Sequence, residues 1–126
     1  MVKYIQSLVL VLGLFTSSLY SQSVSLDSFT DVQLLNVQNC VVVQVNASWN
    51  YQNRVRTEQL SQLCYVAEID IENKNIGATI AKEWNITIVP TIIVLKEGKE
   101  VKRFEPGISM SFDERTIIES IRKEVK

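Results

Sequence analysis

The chain has 126 residues, 46% of them apolar and 21% charged, with a formal net charge of −1, which fits one compact domain with a modest core and excludes disordered and collagen-like classes. The charge balance and the absence of basic clusters leave no electrostatic footprint for nucleic acid or an anionic membrane surface. With no histidine and only Cys40 and Cys64, the chain lacks Ser-His and Cys-His nucleophile pairs and a convincing zinc ligand set, and its isolated glycines form no phosphate loop. No metal and no cofactor is expected.

Residues 1 to 21 read as a secretory leader, the alternatives being an N-terminal anchor or a first structural helix. Lys3 gives the positive start, residues 8 to 15 the apolar centre, and Thr16-Ser17-Ser18-Leu19-Tyr20-Ser21 a small and polar exit, with cleavage expected before Gln22. The apolar centre is shorter than the about 20 residues that span a bilayer, so the mature chain, residues 22 to 126, is expected to have no membrane association.

Ser28-Phe29-Thr30-Asp31 has the spacing of a capping box and predicts a short helix running towards Asn36. Residues 41 to 45, Val-Val-Val-Gln-Val, are short and β-branched as a buried parallel strand should be. Residues 50 to 63 contain no proline or glycine and predict a helix, with Asn50 as its N-cap. A second strand is expected over 65 to 71, and Ile76, Ile80 and Trp84 form a helical stripe. Strands at 90 to 95 and 100 to 104 flank Lys96-Glu97-Gly98-Lys99, a hairpin turn. Ser111-Phe112-Asp113-Glu114 is a second capping box, ahead of Ile117, Ile118, Ile121 and Val125 on one helical face. The order is α/β, with a βαβ unit, a hairpin and a terminal helix.

Within this order Trp49-Asn50-Tyr51-Gln52-Asn53 ends the first core strand, Val89-Pro90-Thr91 opens a later one, Gly98 marks the hairpin and Gly107 follows the last strand. From about Ser28 to the end the chain resembles the thioredoxin-like family. The resemblance implies a central mixed sheet of about four to five strands with helices on both faces. It also implies a cis bond at Pro90 facing a Cys-x-x-Cys motif just after Trp49. In that motif a helix N-terminus lowers the pKa of the first thiol and the second cysteine resolves the mixed disulfide. Here Asn50 and Asn53 hold those positions, and an amide is neither an appreciable nucleophile nor a redox group.

Two further departures accompany the missing thiols. Gln44 stands where the family usually has a buried acidic residue, either because that acid has lost its task or simply as a hydrogen-bonded polar residue in a strand. Only 14 residues lie between Trp49 and Cys64, which implies a shorter helix than usual. With Pro90 cis, the Val89 backbone would be free to pair with an extended peptide. Trp49, Val89, Pro90, Gly107 and Ile108 would then line a shallow peptide-binding groove, unless Trp49 and Pro90 merely close the core.

Cys40 and Cys64 precede the strands at 41 and 65, which the resemblance makes parallel neighbours. Their starts lie at the pole opposite Asn50. After export to an oxidising compartment a structural disulfide is expected, the alternatives being two buried free thiols or a relocated redox pair. Asn46-Ala47-Ser48 and Asn85-Ile86-Thr87 match the N-glycosylation tripeptide, which matters in a eukaryotic secretory pathway. Asn46, beside the core strand, is expected to be inaccessible. The functional expectation is an exported thioredoxin-like domain, redox-inactive at the usual site, that binds a peptide or protein. The alternatives are a thiol-disulfide oxidoreductase acting through Cys40 or Cys64, and a structural subunit of an envelope assembly.

Overall fold

The computed structural model describes residues 23 to 108 and 112 to 125. The expected leader, residues 1 to 21, and Ser111 lie outside the described residues. Five strands form one mixed sheet: β1 (Val24–Ser25), β2 (Cys40–Asn46), β3 (Tyr65–Asp70), β4 (Thr91–Lys96) and β5 (Lys99–Phe104). Their spatial order is β1-β3-β2-β4-β5. β2 lies parallel to β3 and antiparallel to β4, so the strand richest in valine takes the centre. β1 had no counterpart among the sequence expectations, because a two-residue strand carries no readable alternation and exists only through its parallel pairing with β3.

Alternation along β2 sends side chains to two separate cores. Val41, Val43 and Val45 join Leu35, Ala67, Ile69, Ile76 and Ile80 on one face. Val42 joins Val55, Leu60, Val66, Ile92, Val94, Ile117, Ile118 and Ile121 on the other. The first face is covered by helix α1 (Phe29–Leu34), the 3-10 turn Leu35–Val37 and helix α2 (Gly77–Glu83); helix α3 (Glu114–Glu124) supplies the three isoleucines that close the second.

Local chemistry explains most of the boundaries. Ser28 caps α1, its Oγ accepting from the Asp31 amide at 3.1 Å. Asp31 in turn accepts from the Asp27 amide at 3.1 Å rather than from Ser28 itself. Helix α2 starts at a glycine because a Cβ at Gly77 would collide with the Ile71 carbonyl. The hairpin between β4 and β5 turns on Glu97 and Gly98, with φ of 53° and 80°, the left-handed pair that a two-residue turn between twisted strands requires.

Helix α3 starts later than the sequence suggests. Its N-cap is Asp113, whose carboxylate accepts from the Thr116 hydroxyl at 2.8 Å and the Thr116 amide at 3.4 Å. The Thr116 hydroxyl and amide hold the Asp113 carboxyl below the usual carboxylate range. The serine expectation fails because Thr116 gives the aspartate two donors one turn on.

The larger correction concerns residues 50 to 63, which form no α-helix. The chain runs instead through the 3-10 segments Ser48–Asn53 and Thr57–Leu60, joined by an extended stretch at 54 to 56. Amide bonds reach three residues back, from Asn50 to Ala47, Arg54 to Tyr51 and Ser61 to Glu58. The cause is Gln44, 1% exposed in the middle of β2. Its Nε2 donates to the Val55 carbonyl at 2.7 Å and its Oε1 accepts from the Val55 amide at 2.8 Å. A backbone engaged at both groups by a side chain cannot also serve an α-helical ladder. β-branched Val55 and Thr57 and turn-favouring Asn50 and Asn53 offer the helix little resistance to that competition. Gln44 is thus a hydrogen-bonded polar residue within the strand.

Cys40 and Cys64 form a disulfide, with Cα atoms 4.8 Å apart. It ties the starts of β2 and β3, whose register pairs Val41 with Tyr65. Cys64 is buried, at 6% exposure.

Two stability experiments follow from this architecture. Gln44→Leu leaves the buried Val55 amide without an acceptor and is expected to lower unfolding stability by about 1–3 kcal/mol in urea melts; an unchanged midpoint would contradict the clamp. Replacing both cysteines by serine reopens a loop whose closure contributes about 3–4 kcal/mol in the chain-entropy model. The expected loss in the same melts is of that size, with the far-ultraviolet spectrum retained.

Candidate functional site

β2 delivers the chain to the site at its carboxyl end, where Asn46 leaves the sheet and the first 3-10 segment begins. Asn50 sits inside that segment with φ −114° and ψ 21°, and it is 2% exposed. It does not cap a helix. Its amide instead ties three parts of the chain together: Nδ2 donates to the Val89 carbonyl at 3.1 Å and to Asn46 Oδ1 at 3.2 Å. Asn50 Oδ1 accepts from Asn53 Nδ2 at 2.7 Å. Asn46 closes the circuit by donating to the Asn50 carbonyl at 3.3 Å. A buried amide with every strong group satisfied stabilises its surroundings, whereas an unpaired one would cost about 1–3 kcal/mol.

The Val89–Pro90 peptide bond is cis, as the resemblance implied, and it faces Asn50 through the Val89 carbonyl. Thr91 fixes the same turn by donating from its hydroxyl to the Ile88 carbonyl at 2.6 Å. The residues expected to line a groove fall into two groups. Val89 and Pro90 are buried, and the Val89 carbonyl already has an internal partner. Trp49, Gly107 and Ile108 are exposed, Trp49 at 59%. Tyr51, which sequence reasoning passed over, is exposed at 65%. The site is thus a closed polar network with exposed Trp49 and Tyr51 on the same 3-10 segment.

Beside it lies a cleft of about 370 Å³ whose lining includes Gln44, Asn46, Ser48, Tyr51, Arg54 and Asp70. It lies where β2 and β3 end, the pole at which open α/β sheets commonly hold ligands. Arg54 in its wall pairs with Glu68 at 2.8 Å and with Glu58, and its guanidinium lies 5.7 Å from the centre of the Tyr51 ring. Two carboxylates therefore share the one guanidinium in the wall, each at a different nitrogen. The four-residue spacing of Arg54 and Glu58 was readable in the sequence, but the cleft was not, since its walls come from segments distant in the chain, around residues 25, 46, 54 and 70. Among the described residues no group of three or more acidic or cysteine side chains is arranged to hold a metal ion.

The disulfide lies at the far pole. β2 has Cys40 at its start and Asn46 at its end, a span of about 20 Å at the usual strand rise. Among the described residues neither cysteine lies beside Asn50 or Asn53, whose side chains offer hydrogen-bond donors and acceptors.

The contact between Asn50 and Asn53 makes a direct test of the local geometry. Replacing both by cysteine is expected to create a second disulfide, read as zero free thiols by mass spectrometry of the alkylated, unreduced protein. Two alkylated thiols after mild oxidation would show that the 3-10 segment does not hold positions 50 and 53 together.

Comparison with known proteins adds to this geometry. No protein-family model matches the sequence, and no match is found among curated proteins. Solved structures do match. A point mutant of the thioredoxin of Halobacterium salinarum superposes with a TM-score of 0.68 at 18% identity, covering 85% of this chain and 94% of that one. The thioredoxin of Fasciola hepatica gives 0.63 at 26% identity, covering 82% and 99%, and that of Nicotiana alata 0.65 at 22%, covering 84% and 95%. With the five-stranded mixed sheet, the cis bond at Pro90 and these likenesses in hand, the chain is a thioredoxin-like protein by fold.

Proposed function

We propose that the mature chain is an exported thioredoxin-like binding domain that performs no thiol-disulfide exchange at positions 50 and 53. Its surface around Trp49 recognises a peptide or protein segment. The observation that carries this reading is the state of Asn50, buried and fully hydrogen-bonded where the family places its reactive thiol. A site that keeps the cis bond and exposed aromatic side chains beside it, without a nucleophile, retains the means to bind and lacks the means to exchange.

Trp49 and Tyr51 suit recognition because aromatic side chains combine large apolar area with few rotatable bonds. The Val89 carbonyl is occupied by Asn50, so backbone pairing with an extended partner would have to begin from the Val89 amide or displace the Asn50 bond. Gly107 and Ile108 extend the exposed surface. Export supports the same reading: residues 1 to 21 have the pattern of a leader, and a disulfide is the form two cysteines take in an oxidising compartment.

The test has two arms. In an insulin-reduction assay with dithiothreitol, the mature protein is expected to give no stimulation above the reductant alone; stimulation abolished by Cys64→Ser would instead establish an oxidoreductase working through the disulfide. For binding, a peptide array probed with the mature protein supplies ligands for titration. Trp49→Ala is expected to weaken the best of them by at least about 30-fold, the effect of truncating an aromatic hot spot of about 2 kcal/mol. Equal affinity of the variant would remove the Trp49 surface from the function.

A further inference from the structure

We propose that Asn85 carries an N-linked oligosaccharide and that Asn46, the other residue in the same tripeptide context, does not; this rests on the export reading given above, taken through a eukaryotic secretory pathway. Asn85 follows directly on the C-cap of α2, Trp84. It adopts a φ of 54°, the left-handed conformation that asparagine tolerates better than most residues. Its amide donates to the Lys82 carbonyl at 3.3 Å, and its own carbonyl accepts from Arg103 Nη1 at 3.2 Å. The backbone is therefore fixed at both groups. The residue is exposed, and its side-chain amide makes no hydrogen bond among the described residues.

The rest of the tripeptide suits an acceptor as well. Ile86 anchors the turn, its amide donating to the Ala81 carbonyl at 2.8 Å and its side chain packing on the core beneath α2. Thr87 is exposed, and its hydroxyl donates to Glu105 over a long 3.3 Å. The left-handed turn alone would account for an asparagine at 85. It does not call for a threonine two residues on, in an exposed position with little structural work.

Asn46 is the internal control. Its Oδ1 accepts from Asn50 and its Nδ2 donates to the Asn50 carbonyl, while Ser48 donates to Glu72 at 2.9 Å. A sugar on Asn46 Nδ2 would remove one of its two N–H groups and insert a bulky polar group against the network that reaches Val89. Glycan transfer precedes folding, so both tripeptides meet the transferase as unfolded chain, and the fold decides which product persists. The co-substrate is an oligosaccharide linked through a diphosphate to a lipid. Asn85 Nδ2 forms the new bond to C1 of the first sugar as the C1–O bond to the diphosphate breaks. The diphosphate leaves with the electron pair, and the amide proton passes to a base of the transferase.

The experiment expresses two chains in insect cells: the full chain with its own leader, and residues 22 to 126 behind an established secretory leader. Secreted protein is treated with a peptide N-glycosidase and mapped by mass spectrometry. The expected result is one glycan, at Asn85, with the mobility shift abolished by Asn85→Gln and by Thr87→Ala. Secreted protein from the established leader that carries no glycan at Asn85, or carries one at Asn46, would overturn the proposal. If only the chain with its own leader stays inside the cell, while the other is secreted and modified at Asn85, the acceptor site stands and the export reading falls. Mapping on the unaltered sequence keeps the result independent of whether any variant folds.

Discussion

Gln44 occupies the middle of the central strand, and both ends of its amide hold the backbone of Val55. A polar side chain in a sheet core is tolerated only when its groups are paired, and here the partner is a stretch of chain that would otherwise be free to coil. The two bonds act as a short artificial bridge between β2 and the segment that crosses above it. That bridge sets where Val55 and Leu60 enter the core beside Val42, and it prevents the crossing segment from becoming an α-helix. On this crossing of 3-10 turns Arg54 lies beside Glu68 and Tyr51 is exposed, next to the cleft at the carboxyl ends of β2 and β3.

At the end of the same strand a second amide network does related work. Asn50, Asn53 and Asn46 bind one another and the Val89 carbonyl, so the loop bearing the cis bond is tied to the loop after β2 by hydrogen bonds. A thiol pair at 50 and 53 would leave a reactive, electron-exchanging centre at this junction. The amides instead hold one another, and Trp49 and Tyr51 stay exposed beside them.

The opposite pole is held covalently. The disulfide joins the starts of β2 and β3, while the amide network lies at the other end of β2 and ties it to the loop before β4. The β5 edge is guarded differently: Lys99, Glu100 and Lys102 are exposed along it, and charge on an edge strand discourages pairing with other chains.

Strand positions, the Ser28 cap, the Glu97-Gly98 turn and the absence of thiols at 50 and 53 were legible in the sequence, because each depends on neighbours a few residues away or on residue identity itself. The cis bond and the pairing of Cys40 with Cys64 were legible only through the order of anchors along the whole chain. Three features belonged to the tertiary structure alone. Strand β1 exists only because β3 offers a free edge, and the N-cap moved to Asp113 because Thr116 offers it two donors. The expected helix at 50 to 63 was lost to Gln44, which sits far enough back in the chain that no local pattern couples it to Val55. Local propensity is written in adjacent residues, whereas competition for a backbone hydrogen bond is decided by whichever buried group the fold brings within reach.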